Sequence, residues 1–207
     1  LLDLPFSFSF EHPPPIIDVS PTFGPVRGGT AVAIQGQRFD ELPLIFCQFS
    51  NARVPSRFIS TSLISCSTPS VAIASDVRFQ VLSGSGGALA WNSTFLFEPD
   101  TVIFSISPVR GPSEGGTRLL VSGEHFSSRG AQLGLLRCRF NGTDVAAEFV
   151  SSTSIACNAP KHRAGAVSVE MSNNLQQFTD AGVTYTYEAV TLLAVSPRNG
   201  PIRGGSR

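Results

Sequence analysis

The chain has 207 residues, 42% of them hydrophobic, and its 15 basic and 15 acidic side chains leave no formal net charge. The balanced charge argues against a nucleic-acid binder, because phosphate contacts usually require a basic surface. No apolar run in the sequence reaches the length of a membrane-spanning helix. The 19 glycines and 15 prolines, set among short apolar runs, are typical of short strands joined by turns.

The N-terminal segment, residues 1–12, has the alternation of a half-buried strand. Phe6, Phe8 and Phe10 are separated by serines, which gives the two-residue period of such a strand. Similar pieces precede the later repeats, so we predict that this segment is the last strand of a preceding repeat. Residues 13–15 are three prolines and are predicted to form a stiff, extended linker.

An eleven-residue motif, S-P-x-x-G-P-x-x-G-G-[T/S], organises the rest of the chain. It occurs at residues 20–30, 107–117 and 196–206, and the first prolines of the copies are spaced by 87 and 89 residues. Proline fixes φ and removes a hydrogen-bond donor, and paired glycines allow bends that other residues resist. The motif therefore predicts a sharp kink, at which one strand leaves a sheet edge and the next strand begins.

The motif divides the chain into two complete repeats and two partial ones. We predict complete repeats at 16–99 and 101–188, and the first strand and kink of a following repeat at 190–207. Seven short strands in each repeat indicate an all-β fold of tandem, antiparallel, immunoglobulin-like sandwiches arranged as an extended array. Predicted core residues of the first repeat are Val32, Ile34, Phe79 and Val81. The second repeat has four extra residues around 127–134, predicted to form a surface loop.

Each complete repeat contains two cysteines, Cys47 and Cys66 in the first and Cys138 and Cys157 in the second, both pairs 19 residues apart. Repeat symmetry favours a disulfide within each repeat. A metal site is the competing interpretation, but close C-x-x-C pairs and clustered histidines are missing from the sequence. Free buried thiols are the other alternative, which the identical spacing disfavours. Disulfides imply an oxidising compartment.

Two N-x-[S/T] sequons predict N-glycosylation at Asn92 and Asn141. Both positions are predicted to lie at strand–turn junctions, where a sugar could reach solvent. Neither sequon has a counterpart in the other repeat, as expected of surface decoration rather than core.

Catalytic and metal-binding roles find little support in the residues. A nucleophilic triad needs three groups in one site, and the three histidines, His12, His125 and His162, are dispersed. His125 corresponds to an arginine in the first repeat, which indicates a variable surface position rather than a base. The aspartates lack the dense acidic loop that a calcium site requires. We therefore predict no enzyme activity, no cofactor and no metal.

The kink motif, the G-x-x-F that follows it, and the later C-x-F and I-x-C elements resemble the IPT/TIG domain. This immunoglobulin-like domain is shared by plexins, the hepatocyte growth factor receptor, fibrocystin-type proteins and some transcription factors. The resemblance covers nearly the whole chain and implies a modular role without a catalytic site. It also implies the two disulfides, because Cys47 and Cys66, and likewise Cys138 and Cys157, fall where extracellular members carry one.

These observations predict a non-catalytic extracellular structural or adhesive repeat protein, a segment of a surface appendage or filament. The predicted partners are neighbouring repeats or copies of the chain itself, meeting head to tail, together with covalent glycans. Nucleic acid and a membrane span are not expected. Two alternatives stay open: an intracellular DNA-binding TIG module, and accessory domains of a secreted carbohydrate-active enzyme.

Overall fold

A computed structural model describes residues 15–41, 44–84 and 87–189. The first repeat contains β1 (Ile16–Ser20), β2 (Phe23–Pro25), β3 (Ala31–Gly36), β4 (Ile45–Phe49), β5 (Ala52–Ser60), β6 (Leu63–Ser67), β7 (Ser75–Ser83) and β8 (Ala88–Glu98), with a short 3-10 helix at Phe39–Glu41. The second contains β9 (Val102–Ser107), β10 (Arg110–Pro112), β11 (Arg118–Glu124), α1 (Ser128–Gln132), β12 (Arg137–Phe140), β13 (Thr143–Ser151), β14 (Ser154–Asn158), β15 (Gly165–Ser172) and β16 (Thr184–Glu188).

Each repeat is one eight-stranded sheet curled into two layers. The strand order in the first is β1-β3-β6-β5-β4-β7-β8-β2, and the second repeats it as β9-β11-β14-β13-β12-β15-β16-β10. The long strand β5 belongs to both layers, because its first half pairs with β4 and its second half with β6. The all-β, immunoglobulin-like sandwich predicted from the sequence is confirmed. We call the two units the first and second sandwich.

The kink motif explains why each described sandwich has eight strands rather than the predicted seven. Strand β1 pairs with β3 in one layer, and after a cis peptide bond between Ser20 and Pro21 the chain crosses to the other layer. There the three residues of β2 pair in parallel with β8. Strands β9 and β10 do the same around Ser107 and Pro108. The extra strand therefore lies within the motif itself, where its prolines hid it from a pattern based on apolar alternation.

Each sandwich has its own hydrophobic core. The four predicted core residues of the first sandwich are all at most 1% exposed, and Phe49 packs among Phe79, Phe95 and Phe97 at centroid distances of 5.0–6.1 Å. In the second sandwich Tyr185 and Tyr187 take the places of two of these rings. Burying one large aromatic side chain stabilises a fold by about 1.5–3 kcal/mol. Separate cores mean that neither sandwich needs the other to exclude water from its interior.

The extra residues at 127–134 lie in the connection between β11 and β12, as predicted, and form a short helix that the sequence pattern did not show. They contain α1, whose N-cap Ser127 is only 5% exposed and whose Gly130 is buried. The Ser127 hydroxyl accepts a hydrogen bond from Gly130 N at 3.0 Å, the usual way in which serine satisfies the first turn of a helix. The segment is ordered because it packs against neighbouring loops, a long-range effect with no local signature.

Several predictions fall outside the described residues. They are the strand with Phe6, Phe8 and Phe10 in residues 1–12, most of the proline linker at 13–15, and the following repeat at 190–207. Within the described part of the chain, no helix has the length and apolar character needed to cross a membrane.

Candidate functional site

The candidate site is the junction between the two sandwiches, built from the end of β8, the linker at 99–101 and two loops of the second sandwich. One loop, residues 173–183, joins β15 to β16, and its counterpart in the first sandwich, residues 84–87, is much shorter. The other loop contains α1. The α1 loop contains the four extra residues of the second repeat, whereas the loop at 173–183 is long because β16 starts later than β8 does. Both loops lie at the boundary with the first sandwich. We call residues 173–177, Asn-Asn-Leu-Gln-Gln, the amide clamp.

Gln176 of the amide clamp replaces a missing strand at the edge of β3. Backbone groups alternate in direction along an antiparallel strand. Because Thr30 O accepts from Thr68 N, the N–H and C=O of Ala31 face the opposite side of β3. Their partner there would be Thr22, but the kink has carried Thr22 to the other layer, where its oxygen accepts from Leu96 N at 2.9 Å.

The Gln176 carboxamide fills this gap with two hydrogen bonds. Its Oε1 accepts from Ala31 N at 2.7 Å, and its Nε2 donates to Ala31 O at 3.0 Å. A carboxamide carries the same donor and acceptor as a peptide group, so it can pair with a strand edge as another strand would. The kink thus creates an unpaired edge in the first sandwich, and the second sandwich covers it.

The Thr30 side chain anchors the rest of the amide clamp. Thr30 is fully buried, and its hydroxyl donates to Gln177 Oε1 at 3.0 Å and accepts from Asn174 Nδ2 at 3.3 Å. Asn174, itself 3% exposed, also accepts from the backbone N–H groups of Gln176 and Gln177 through its Oδ1. One asparagine therefore both shapes the clamp and docks it, and buried polar groups satisfied in this way fix a unique geometry.

Asn173 ties the linker to the second sandwich. Its Nδ2 donates to Thr101 Oγ1 and to His125 O, both at 2.8 Å, and its Oδ1 accepts from Ser127 N at 3.0 Å. The Ser127 hydroxyl in turn donates to Glu98 Oε1 at 2.6 Å, which joins α1 to the last residue of β8. The linker is thus held at both ends, by the bond from Ser127 to Glu98 and by the bond from Asn173 to Thr101.

Charged contacts at the junction are few and partly exposed. Arg27 Nη2 donates to Phe178 O at 3.2 Å, and its Nε lies 3.9 Å from Asp100 Oδ1. Such exposed pairs contribute between about 0 and 1 kcal/mol. The carboxamide hydrogen bonds outnumber these charged contacts at the joint. Those of Gln176 are exposed, and those that reach Thr30 are buried or half-buried.

Burial raises the pKa of Glu98 above its ordinary value of 4.5, and the hydrogen bond from Ser127 lowers it by less. Folding thus favours the protonated form. The stability that Glu98 contributes is complete below pH 4.5 and is lost as pH rises through the raised pKa. Glu98→Gln keeps an oxygen for Ser127 and cannot ionise. We expect its unfolding free energy, relative to the unmodified chain, to be higher at pH 7 than at pH 4. Urea unfolding at both values measures this difference, and an equal difference at both would contradict it.

The cavity at the junction is small. The cavity between Pro25, Arg27, Pro99 and the amide clamp has a volume of about 20 Å³, enough for one or two water molecules. In the described part of the chain, no three His, Cys, Asp or Glu side chains are grouped to hold a metal ion. His125 contributes to the joint through its backbone carbonyl, and its ring Nδ1 lies 2.9 Å from Asp100 O. What this arrangement can do is fix one sandwich against the other.

The cysteines predicted to pair lie inside the two cores. In the structure Cys47 on β4 is bonded to Cys66 on β6, with 6.2 Å between their Cα atoms. Cys138 on β12 is bonded in the same way to Cys157 on β14, with 6.4 Å between Cα atoms. All four are at most 2% exposed. Each bond links one layer of a sandwich to the other.

The two sequons have different structural settings. Asn141 and Gly142 form the exposed two-residue turn between β12 and β13, with φ of 44° and 84°. An Asn-Gly pair is favoured in such hairpin turns because both residues tolerate positive φ. Asn92 lies within β8, where it pairs with Gln80. Its predicted position at a strand–turn junction is therefore wrong, because β8 starts before the sequon and continues through it.

Comparison with known proteins assigns the fold family. A family model described as "IPT/TIG domain" matches residues 14–98 and 102–187. The chain belongs to the IPT/TIG domain family. Human Plexin-A3 is 31% identical to this IPT/TIG chain over 111 residues, which are 51% of the chain and 6% of Plexin-A3. Plexin-2 of Caenorhabditis elegans is 30% identical over 154 residues, 72% of the chain and 8% of that protein.

A solved structure of the full extracellular region of Plexin A4, domains 1 to 10, has the same fold. It aligns with a TM-score of 0.55 and 18% identity, covering 95% of this IPT/TIG chain and 17% of that chain. The IPT/TIG chain spans less than a tenth of the length of the curated plexins named above. The similarity therefore assigns the fold and family of these two sandwiches.

Proposed function

We propose that this IPT/TIG chain is a non-catalytic extracellular spacer, whose two sandwiches are held at a fixed angle by the amide clamp. The observation that carries the proposal is the pair of hydrogen bonds between Gln176 and the backbone of Ala31. A flexible linker would need no such contacts, since tandem domains joined by a small polar interface move by default. A fixed joint lets a repeat protein set both distance and direction.

The extracellular placement rests on several supports of different kinds. Two buried disulfides suit an oxidising compartment, and the solved structure with the matching fold is described as an extracellular region. The lack of net charge weighs against the alternative of a DNA-binding module. We further propose that repeats at 16–99 and 101–188 continue into neighbouring repeats, and that a surface appendage or adhesive filament is the setting. Copies of this chain that meet head to tail would be a second way to build the same extended array.

Clamp variants test the fixed joint. In the double variant Gln176→Ala and Gln177→Ala, we expect a loss of about 2 kcal/mol of coupling between the sandwiches. Three hydrogen bonds across the junction disappear, two of them exposed and one half-buried, and each contributes roughly 0.5–1.5 kcal/mol. Residual dipolar couplings from nuclear magnetic resonance measure the result. One alignment tensor should describe both sandwiches of the unmodified chain, and two different tensors should be needed for the variant.

The matched control is Gln35→Ala with Gln37→Ala, two exposed glutamines of which one lies near the end of β3 far from Ala31 and the other just beyond it. In this control, one alignment tensor should still describe both sandwiches. If the clamp variant also keeps one tensor while both sandwiches stay folded, the amide clamp does not set the angle and the spacer proposal fails.

Glycosylation tests the extracellular setting. Expression through a eukaryotic secretory pathway is expected to add a glycan at Asn141, because its turn is exposed, and we propose Asn92 as the second acceptor. Mass spectrometry of peptides before and after glycosidase treatment measures both sites. Asn141→Gln should remove one glycan without unfolding the second sandwich. Secreted, folded protein with both asparagines unmodified would count against the proposed setting.

A further inference from the structure

The second sandwich has its own unpaired edge, at Arg118 on β11. Thr117 O accepts from Ala159 N at 2.8 Å, so the N–H and C=O of Arg118 face the side where β9 lies. By the register of β9 and β11, the partner there would be Val109. The kink has carried Val109 away, and its oxygen accepts from Thr186 N at 2.9 Å.

Arg118 is therefore the counterpart of Ala31. In the first sandwich this edge is covered by a carboxamide of the next sandwich. Arg118 is exposed, and among residues 15–41, 44–84 and 87–189 no hydrogen bond reaches its backbone from the β9 side. The same motif thus produces the same edge twice, and within the described part of the chain one of the two is covered.

Two side chains beside this edge, Thr117 and Tyr185, support its equivalence with the edge at Thr30 and Ala31. A Cβ on Gly111 would collide with the Thr117 hydroxyl, just as one on Gly24 would collide with that of Thr30, so both threonines are held in the same place. The hydroxyl of Tyr185 touches the same point. Tyr185 is fully buried, and its hydroxyl has no hydrogen-bond partner in the described part of the chain. The Tyr185 hydroxyl thus lies beside Thr117 in the place that the edge of the Phe95 ring has beside Thr30.

We propose that the edge at Thr117 and Arg118 is a docking site for a carboxamide side chain, presented by a loop of the sandwich that follows in the same polypeptide. The third copy of the motif, at residues 196–206, marks the start of that sandwich in the sequence. Its asparagine or glutamine would pair with the Arg118 backbone as Gln176 pairs with Ala31.

One feature of the docking site differs in charge from its counterpart. Arg27, which donates to the carbonyl of Phe178, is replaced by Glu114, and the Glu114 carboxylate accepts from Lys161 Nζ at 2.6 Å. A carboxylate cannot donate to a carbonyl. The docking site on the second sandwich therefore lacks the donor that Arg27 provides in the first, and its carboxylate is already paired with Lys161.

The first test uses amide hydrogen exchange in the 207-residue chain, read residue by residue by nuclear magnetic resonance. The amide of Ala31 is expected to exchange at least about tenfold more slowly than that of Arg118, because the carboxamide protects it. Gln176→Ala should bring the two rates together. Equal protection of Ala31 and Arg118 in the unmodified chain overturns the proposal, since the Arg118 edge would then be occupied already.

The second test supplies a following sandwich. A second copy of residues 99–188 is joined directly after Glu188, which reproduces the natural Glu98-Pro99 connection and brings a second amide clamp. The Arg118 amide of the original copy is expected to slow at least about tenfold. The control carries Gln176→Ala and Gln177→Ala in the added copy alone and should return Arg118 to its faster rate.

The outcomes separate the possible occupants. An unchanged Arg118 rate beside a folded added copy, shown by protected Val121 amides in both copies, overturns the proposal. Protection that rises with protein concentration assigns the edge to a second molecule and overturns the same-chain occupant. The spacer proposal is tested separately, by the alignment tensors of the two original sandwiches. Either proposal can therefore fail while the other holds.

Discussion

Replacing Cys138 and Cys157 together with alanine is expected to lower the unfolding free energy of the second sandwich by about 3 kcal/mol and to leave the first nearly unchanged. The bond closes a segment of 19 residues, and closing a loop of that length restricts the unfolded chain by about 3 kcal/mol in the chain-entropy model. Both sulfurs are removed together so that no buried thiol is left to form a wrong pair.

The aromatic residues allow the two sandwiches to be followed separately. The only tryptophan of the chain, Trp91, lies in β8, and its only tyrosines, Tyr185 and Tyr187, lie in β16. In urea the tyrosine transition should move to lower concentration while the tryptophan transition stays in place. Cys47→Ala with Cys66→Ala is the matched control and should move the tryptophan transition instead. Peptide mapping that found a bond between repeats, or four free thiols, would contradict the pairing itself.

The repeat period and the kink motif were enough to predict the fold, because they act locally. Proline restricts φ wherever it stands, and each motif pairs its prolines with glycines at fixed positions. The predicted consequence, a sharp kink at which one strand leaves a sheet edge and the next strand begins, follows from those few residues. The crossing of β2 to pair with β8 was not predicted, since three residues with a proline have no strand pattern.

The junction could not be predicted from local patterns. The four carboxamides Asn173, Asn174, Gln176 and Gln177 are conspicuous within five residues of the sequence, yet nothing near them identifies Thr30 and Ala31 as partners. Those lie about 145 positions away and are brought close only by the angle between the sandwiches. The same reason explains why α1 was not predicted within 127–134, since Ser127 is buried by contact with Glu98 of the other sandwich.

The two glycines of the motif are expected to differ in what they tolerate. Gly28 and Gly29 have φ of 76° and 80°, so alanine at either costs about 1 kcal/mol in backbone strain. A Cβ on Gly28 would also lie 2.6 Å from the backbone carbonyl of Pro69, which cannot rotate away, whereas one on Gly29 meets only Gln177 Nε2 at 3.9 Å. Overpacking of that kind adds about 1–3 kcal/mol. Gly28→Ala should therefore lower the unfolding free energy of the first sandwich by about 3 kcal/mol, and Gly29→Ala should lower it by about 1 kcal/mol.

The second copy of the motif provides an internal replicate of this comparison. A Cβ on Gly115 would lie 2.7 Å from the backbone of Pro160 and Lys161, and one on Gly116 would meet nothing within 4 Å. Urea unfolding should show the same order in both sandwiches, through tryptophan for the first pair and tyrosine for the second. Equal costs for the two glycines of a pair would mean that the loop at Pro69 or Pro160 moves aside. In that case the motif would act through backbone conformation alone, without the close packing that holds the kink against the neighbouring loop.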